Sequence, residues 1–164
     1  MILNKTKVLL LLFVLAACLG TNQRTASAPA LPNPVLYLVE TEPFQQGGKN
    51  YIRYKYDVFN KDQYPADLFA ASPNLPPCGK NTKASRTWVD FFDQSGKRLY
   101  GFCALGKPAD LANIWFAIEE DKVPPSWVYI EMNDRQTNTK YKSNLADTTN
   151  YLRDSLITIA AFRS

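Results

Sequence analysis

The chain has 164 residues, a formal net charge of +4 from 19 Lys and Arg against 15 Asp and Glu, three cysteines and no histidine. The scattered cations leave no basic bank for nucleic acid. The lack of His removes Ser-His-Asp and Cys-His nucleophile activation, the common zinc sites and the usual general base near neutral pH.

Lys5 and Lys7 give a short positive opening, Val8 to Ala17 is an unbroken apolar run, and the run closes on Leu15-Ala16-Ala17-Cys18. This is the pattern of a secretion signal. Ten apolar residues are too few for a transmembrane helix, which needs roughly 20. The four closing residues resemble the lipobox of bacterial lipoproteins. That resemblance implies a signal peptide over 1–17, cut just before Cys18, and lipid on Cys18. The implied address is the bacterial cell envelope, lipid-anchored at the outer membrane and facing the periplasm or the surface. It carries over an anchor and says nothing of activity. The alternatives are an ordinary cleaved signal with Cys18 near its end, or a cut after Ala28 at Ala26-Ser27-Ala28, well beyond the apolar run. Three is an odd cysteine count for a secreted chain, and lipidation of Cys18 leaves Cys78 and Cys103 as a pair.

Cleavage before Cys18 leaves 147 residues, enough for one domain with a real core. Residues 18–33 are rich in Thr, Ala, Ser, Asn and Pro and read as a flexible tether, with too little apolar bulk to offset the entropy of ordering. A β-domain is expected over 34–146. Aromatic residues make up 13% of the chain, which suits half-buried sheet surfaces.

Pro34 to Glu40 reads as the first strand, with Gly47-Gly48 marking the break after it. Over Lys49 to Asn60, Ile52, Tyr54, Tyr56 and Val58 share one face while Arg53, Lys55 and Asp57 share the other. That period of two is a strand with one wet side. Asp67 to Ala71 reads as a short edge strand, and Ser72 to Ser85 as a long Pro-rich connection around Cys78. Arg86 to Asp93 and Lys97 to Ala104 form a hairpin through Asp93-Gln94-Ser95-Gly96, where Gly96 is free to take a positive φ. Strands are expected again over Asn113 to Glu119, Ser126 to Asn133 and Thr139 to Ser143. The tail, 147–164, fits a packed helix through Leu152, Leu156, Ile159 and Ala160, but Leu156 to Phe162 also fits a strand.

Seven to eight short strands predict an all-β fold, a single antiparallel sandwich. By pattern it resembles immunoglobulin-like and fibronectin-III-like domains. It departs from a true immunoglobulin domain in its short Cys78 to Cys103 separation, and in Gly101, which stands where that family has a tyrosine two residues before the second cysteine. No functional residue is carried over from the resemblance.

With an oxidising compartment and an even remaining count, Cys78 and Cys103 are expected to form a disulfide rather than a redox or metal pair. Without His, the surviving enzyme chemistry is a carboxylate pair, as in glycosidases. Asp90 and Asp93 are three residues apart on a strand and point to opposite faces, so they read as a solvated carboxylate and a turn former. Glu119-Glu120-Asp121 and Asn133-Asp134 offer oxygen ligands without the spacing of a Ca²⁺ loop. No phosphate-cradling motif occurs, and no cofactor and no metal are expected. Trp88, Trp115, Trp127 and Tyr129 are the candidates for an aromatic platform. Within that set Trp127 and Tyr129 are the expected binding surface, since they lie opposite the apolar face of Val128, Ile130 and Met132.

The function expected from these residues is a non-catalytic, membrane-anchored binding module for a protein or polysaccharide partner, using the 72–85 loop or the Trp127 face. The alternatives are a carboxylate-dependent glycan hydrolase and a purely structural envelope subunit.

Overall fold

Two antiparallel sheets pack face to face in the computed structural model, which describes residues 30–149. Expectations for the signal, for Cys18, for most of the tether and for tail residues 150–164 lie outside the described residues. The first sheet holds β1 (Leu36–Gln46), β2 (Lys49–Val58) and β5 (Ile114–Glu119) in the order β1-β2-β5. The second runs β4 (Arg98–Phe102), β3 (Thr87–Asp93), β6 (Trp127–Asp134), β7 (Thr139–Lys142), with β8 (Ala146–Asp147) also paired to β6. The fold is an all-β sandwich, as the strand pattern predicts. The fourth strand lies beside the third, whereas a constant-type immunoglobulin sandwich places it in the opposite sheet.

The alternation in β2 becomes the core. Tyr54, Tyr56 and Val58 are buried, and Tyr56 meets Phe91 and Phe116 with ring centroids 5.3 and 5.9 Å away. Burial raises the Tyr56 phenol far above its ordinary range. Val89, Ile130 and Met132 close the facing layer, all fully buried.

Three expectations are corrected. The first strand reaches Gln46 rather than stopping at Glu40, with Pro43 inside it. Proline is tolerated there because β1 is an edge strand, and a register shift between Leu38 and Glu40 marks a bulge. Asp67 to Ala71 is not a strand: Ala66–Phe69 is a 3-10 turn. Adjacent residues Leu68 and Phe69 are both buried, which the turn brings about by wrapping both side chains onto the core. The domain also extends past both expected limits. Leu31 packs on the core, Pro32 and Asn33 accept hydrogen bonds from Tyr64 and Asn60, and β8 carries pairing to Asp147.

The Pro-rich connection is stapled. Cys78 and Cys103 form a disulfide across 25 residues, and the backbone bridges Ala71 to Ser85 and Cys78 to Thr82 fold the loop back on itself. Among the described residues, no helix is long and apolar enough to cross a membrane.

Candidate functional site

The solvent face of the first sheet is set by register. Glu42 lies opposite Arg53 and Phe44 opposite Tyr51, while on the other side of β2 Arg53 faces Ala117 and Lys55 faces Trp115. Period-two alternation sends this set outward because Tyr54 and Tyr56 between them point into the core. A long Arg at the centre of such a grid reaches diagonally over its neighbours. The Arg53 guanidinium carbon sits 4.4 Å from the Phe44 ring centroid and 4.7 Å from that of Trp115. Each such contact contributes about 0.5–1 kcal/mol on a partly exposed surface.

The stack continues at both ends. Tyr51 lies on Phe44 with centroids 5.4 Å apart, and Tyr100 of β4 lies on Trp115 at 5.0 Å and 22°. Tyr100 and Phe102 occupy the core-facing side of their strand, opposite Phe91 and Val89. From the edge of the second sheet they meet the edge strand of the first. The result is one ladder, Tyr51–Phe44–Arg53–Trp115–Tyr100, joining the two sheets.

Where small Ala117 interrupts this surface there is a shallow cleft of about 520 Å³, lined by Phe44, Gln46, Lys49, Tyr51, Tyr100, Trp115 and Ala117. A neighbouring hollow of about 500 Å³ shares Lys49 and is lined further by Asn50, Glu119, Glu120 and Asp121. The charges around the cleft are matched. Lys49 donates to Glu119 at 2.7 Å, Arg53 to Glu42 at 2.6 Å, and Lys55 to both Glu40 and Glu42 at 2.9 Å. The Lys55 ammonium holds the Glu42 carboxyl below its ordinary range, and Glu119 pushes the Lys49 ammonium up.

The other candidates fall elsewhere. Trp127 is 44% exposed, but Tyr129 is only 7% exposed because Phe92 stacks on it at 5.3 Å and the Lys142 ammonium sits 3.9 Å over its ring. The two therefore do not make one accessible platform. Trp88 carries the Arg135 guanidinium 4.6 Å over its ring. Asp90 lies opposite Glu131 on an open sheet face, and each is engaged by a cation, Arg98 and Lys140 respectively. Asp93 accepts three hydrogen bonds from Ser95 and Lys97, the turn role expected of it. Among the described residues no group of three or more His, Cys, Asp or Glu is placed to hold a metal.

Phe44, Tyr51, Arg53 and Tyr100 were not distinguishable as site residues in the sequence. The available signal was the wet face of β2, on which Arg53 stands, together with Trp115.

Fold and site define an antiparallel β-sandwich bearing an aromatic, charge-balanced cleft on its three-stranded sheet. Comparison with protein-family models, with curated proteins and with solved structures finds no match.

Proposed function

We propose that the chain is a lipid-anchored protein of the bacterial cell envelope whose sandwich is a non-catalytic binding module for a protein or polysaccharide partner. The observation that carries this reading is the Phe44–Arg53–Trp115–Tyr100 stack beside an open cleft. A stack of planar groups fixed on two sheets is a rigid recognition surface, and little side-chain entropy is left to lose on binding. The anchoring half of the proposal rests on Leu15-Ala16-Ala17-Cys18.

A carboxylate-dependent glycan hydrolase is the weaker reading. Asp90 and Glu131 are bound to Arg98 and Lys140 on an open face rather than set across a cleft, which favours binding over acid–base work.

Two measurements test the proposal. Cys18→Ala is expected to move the protein from the membrane to the soluble fraction, and continued detergent-dependent fractionation defeats the anchor. An affinity pull-down with the lipidated protein in mild detergent is expected to recover a partner that Tyr100→Ala loses and Trp127→Ala retains. Loss by Trp127→Ala alone moves the site to the start of β6.

A further inference from the structure

Resting on the cleft as the binding site, we infer that its ligand is an uncharged glycan chain, held by its sugar rings against the Tyr51–Phe44 and Tyr100–Trp115 walls. Three observations carry this.

First, the walls are aromatic and the rim is polar. A pyranose presents an apolar C–H face and a rim of hydroxyls that both donate and accept. A slot between aromatic walls meets the face, and mixed donors and acceptors meet the rim.

Second, the rim groups are unspent. Among the described residues, the phenols of Tyr51 and Tyr100, the indole N–H of Trp115 and the amide of Gln46, all on residues that line the cleft, make no hydrogen bond with the protein. These free groups lie together around the cleft.

Third, the charges are already satisfied. Lys49 is held by Glu119, Arg53 by Glu42, and Lys55 by Glu40 and Glu42, so among the described residues around the cleft each of these cations already faces a carboxylate rather than awaiting a phosphate, sulfate or uronate. Glu120 and Asp121 at the neighbouring hollow oppose an anion further. An anionic chain would meet cations whose charge a carboxylate already offsets and would gain little from them, whereas a neutral chain does not depend on them. The hollow's extension past Lys49 also suits a chain of several rings rather than a single sugar.

The test uses the full mature chain in mild detergent and titration calorimetry with cellohexaose, maltohexaose, mannohexaose and chitohexaose. A heparin-derived hexasaccharide serves as the charged comparison. At least one neutral hexaose is expected to bind saturably. Tyr100→Ala is expected to weaken it about tenfold through the lost ring, and Tyr100→Phe about threefold through the lost hydroxyl. Ala117→Gln, which fills the floor, is expected to abolish binding, while Trp127→Ala leaves it unchanged. Near-UV circular dichroism confirms that each variant is folded. Binding of the heparin fragment alone overturns the inference. So does failure of every hexaose while a protein partner is captured and then lost in Tyr100→Ala, although the cleft then stands as the site. A neutral hexaose that binds equally well to Tyr100→Ala and Ala117→Gln overturns both the glycan and the cleft.

Discussion

Arg86 grips Asp134 through two parallel hydrogen bonds, Nε to Oδ1 at 2.9 Å and an outer guanidinium nitrogen to Oδ2 at 2.6 Å, with the carboxylate only 2% exposed. The carboxylate also accepts from the Gln136 N–H and the Thr137 hydroxyl, so it fastens the β6–β7 turn to the start of β3. The Arg86 guanidinium, first among these donors, holds the Asp134 carboxyl down to about 2. A depressed carboxyl contributes stability that is present above its unfolded value and lost as pH falls through the folded one. Here the loss runs from about pH 4 to pH 2, and its size is on the order of 1–2 kcal/mol given the partial exposure of Arg86. Asp134→Asn is expected to cost about 2–3 kcal/mol at pH 7 by leaving Arg86 without its buried partner. Urea titrations at pH 7 and at pH 3 should show a smaller mutant deficit at the lower pH. An equal deficit at both would remove the ion pair as its cause.

The disulfide closes 25 residues around the Pro-rich loop. Opening it enlarges the unfolded ensemble, so reduction, or the Cys78→Ser/Cys103→Ser pair, is expected to lower unfolding stability by about 3 kcal/mol. Denaturation curves with and without reductant measure this. Coincident curves would show that the staple does not constrain the unfolded chain.

Removing the cation from the stack separates its two roles. Arg53→Met keeps the stem and loses the guanidinium between Phe44 and Trp115, so a cost of about 1–2 kcal/mol is expected from the two lost ring contacts. Tryptophan emission should shift as Trp115 loses its covering charge. An unshifted spectrum together with full stability would mean that the rings hold their places without Arg53.

Gly101 is explained by its neighbours. It lies opposite Asp90, and a Cβ there would collide with the Arg98 guanidinium and the Asp90 carboxylate, which meet across it. Gly101→Ala is therefore expected to break this surface pair, at a cost under about 1 kcal/mol. In an Asp90→Ala background, where the facing group is gone and Arg98 is free to swing away, the same substitution should be neutral. Additive costs in the double mutant would place the strain in the backbone instead.

Much of the sandwich was legible because its strands have one wet face. Ile52, Tyr54, Tyr56 and Val58 alternate cleanly, and so do Val128, Ile130 and Met132, all three of which are fully buried. The Asp93–Gly96 turn was readable for a local reason: a short carboxylate satisfies nearby backbone, and Gly96 takes φ +87°. The strand through Pro43 was obscured because an edge position, invisible in sequence, is what makes the proline harmless. The cleft was harder still. Trp115 and Tyr100 meet only because β5 and β4 are edge strands of different sheets brought side by side, a relation that no local period encodes. Trp127 and Tyr129 share a strand face, yet Phe92 and Lys142 come from other strands to cover the second of them.

The chain joins the domain at one end of β1, clamped by Asn60 and Tyr64, and the cleft opens at the other, roughly 30 Å along the strand. If the proposed cleft holds a ligand, a pull between that ligand and the leading segment would act lengthwise on β1. Its ten registered pairs with β2 are loaded together in shear, not peeled one after another.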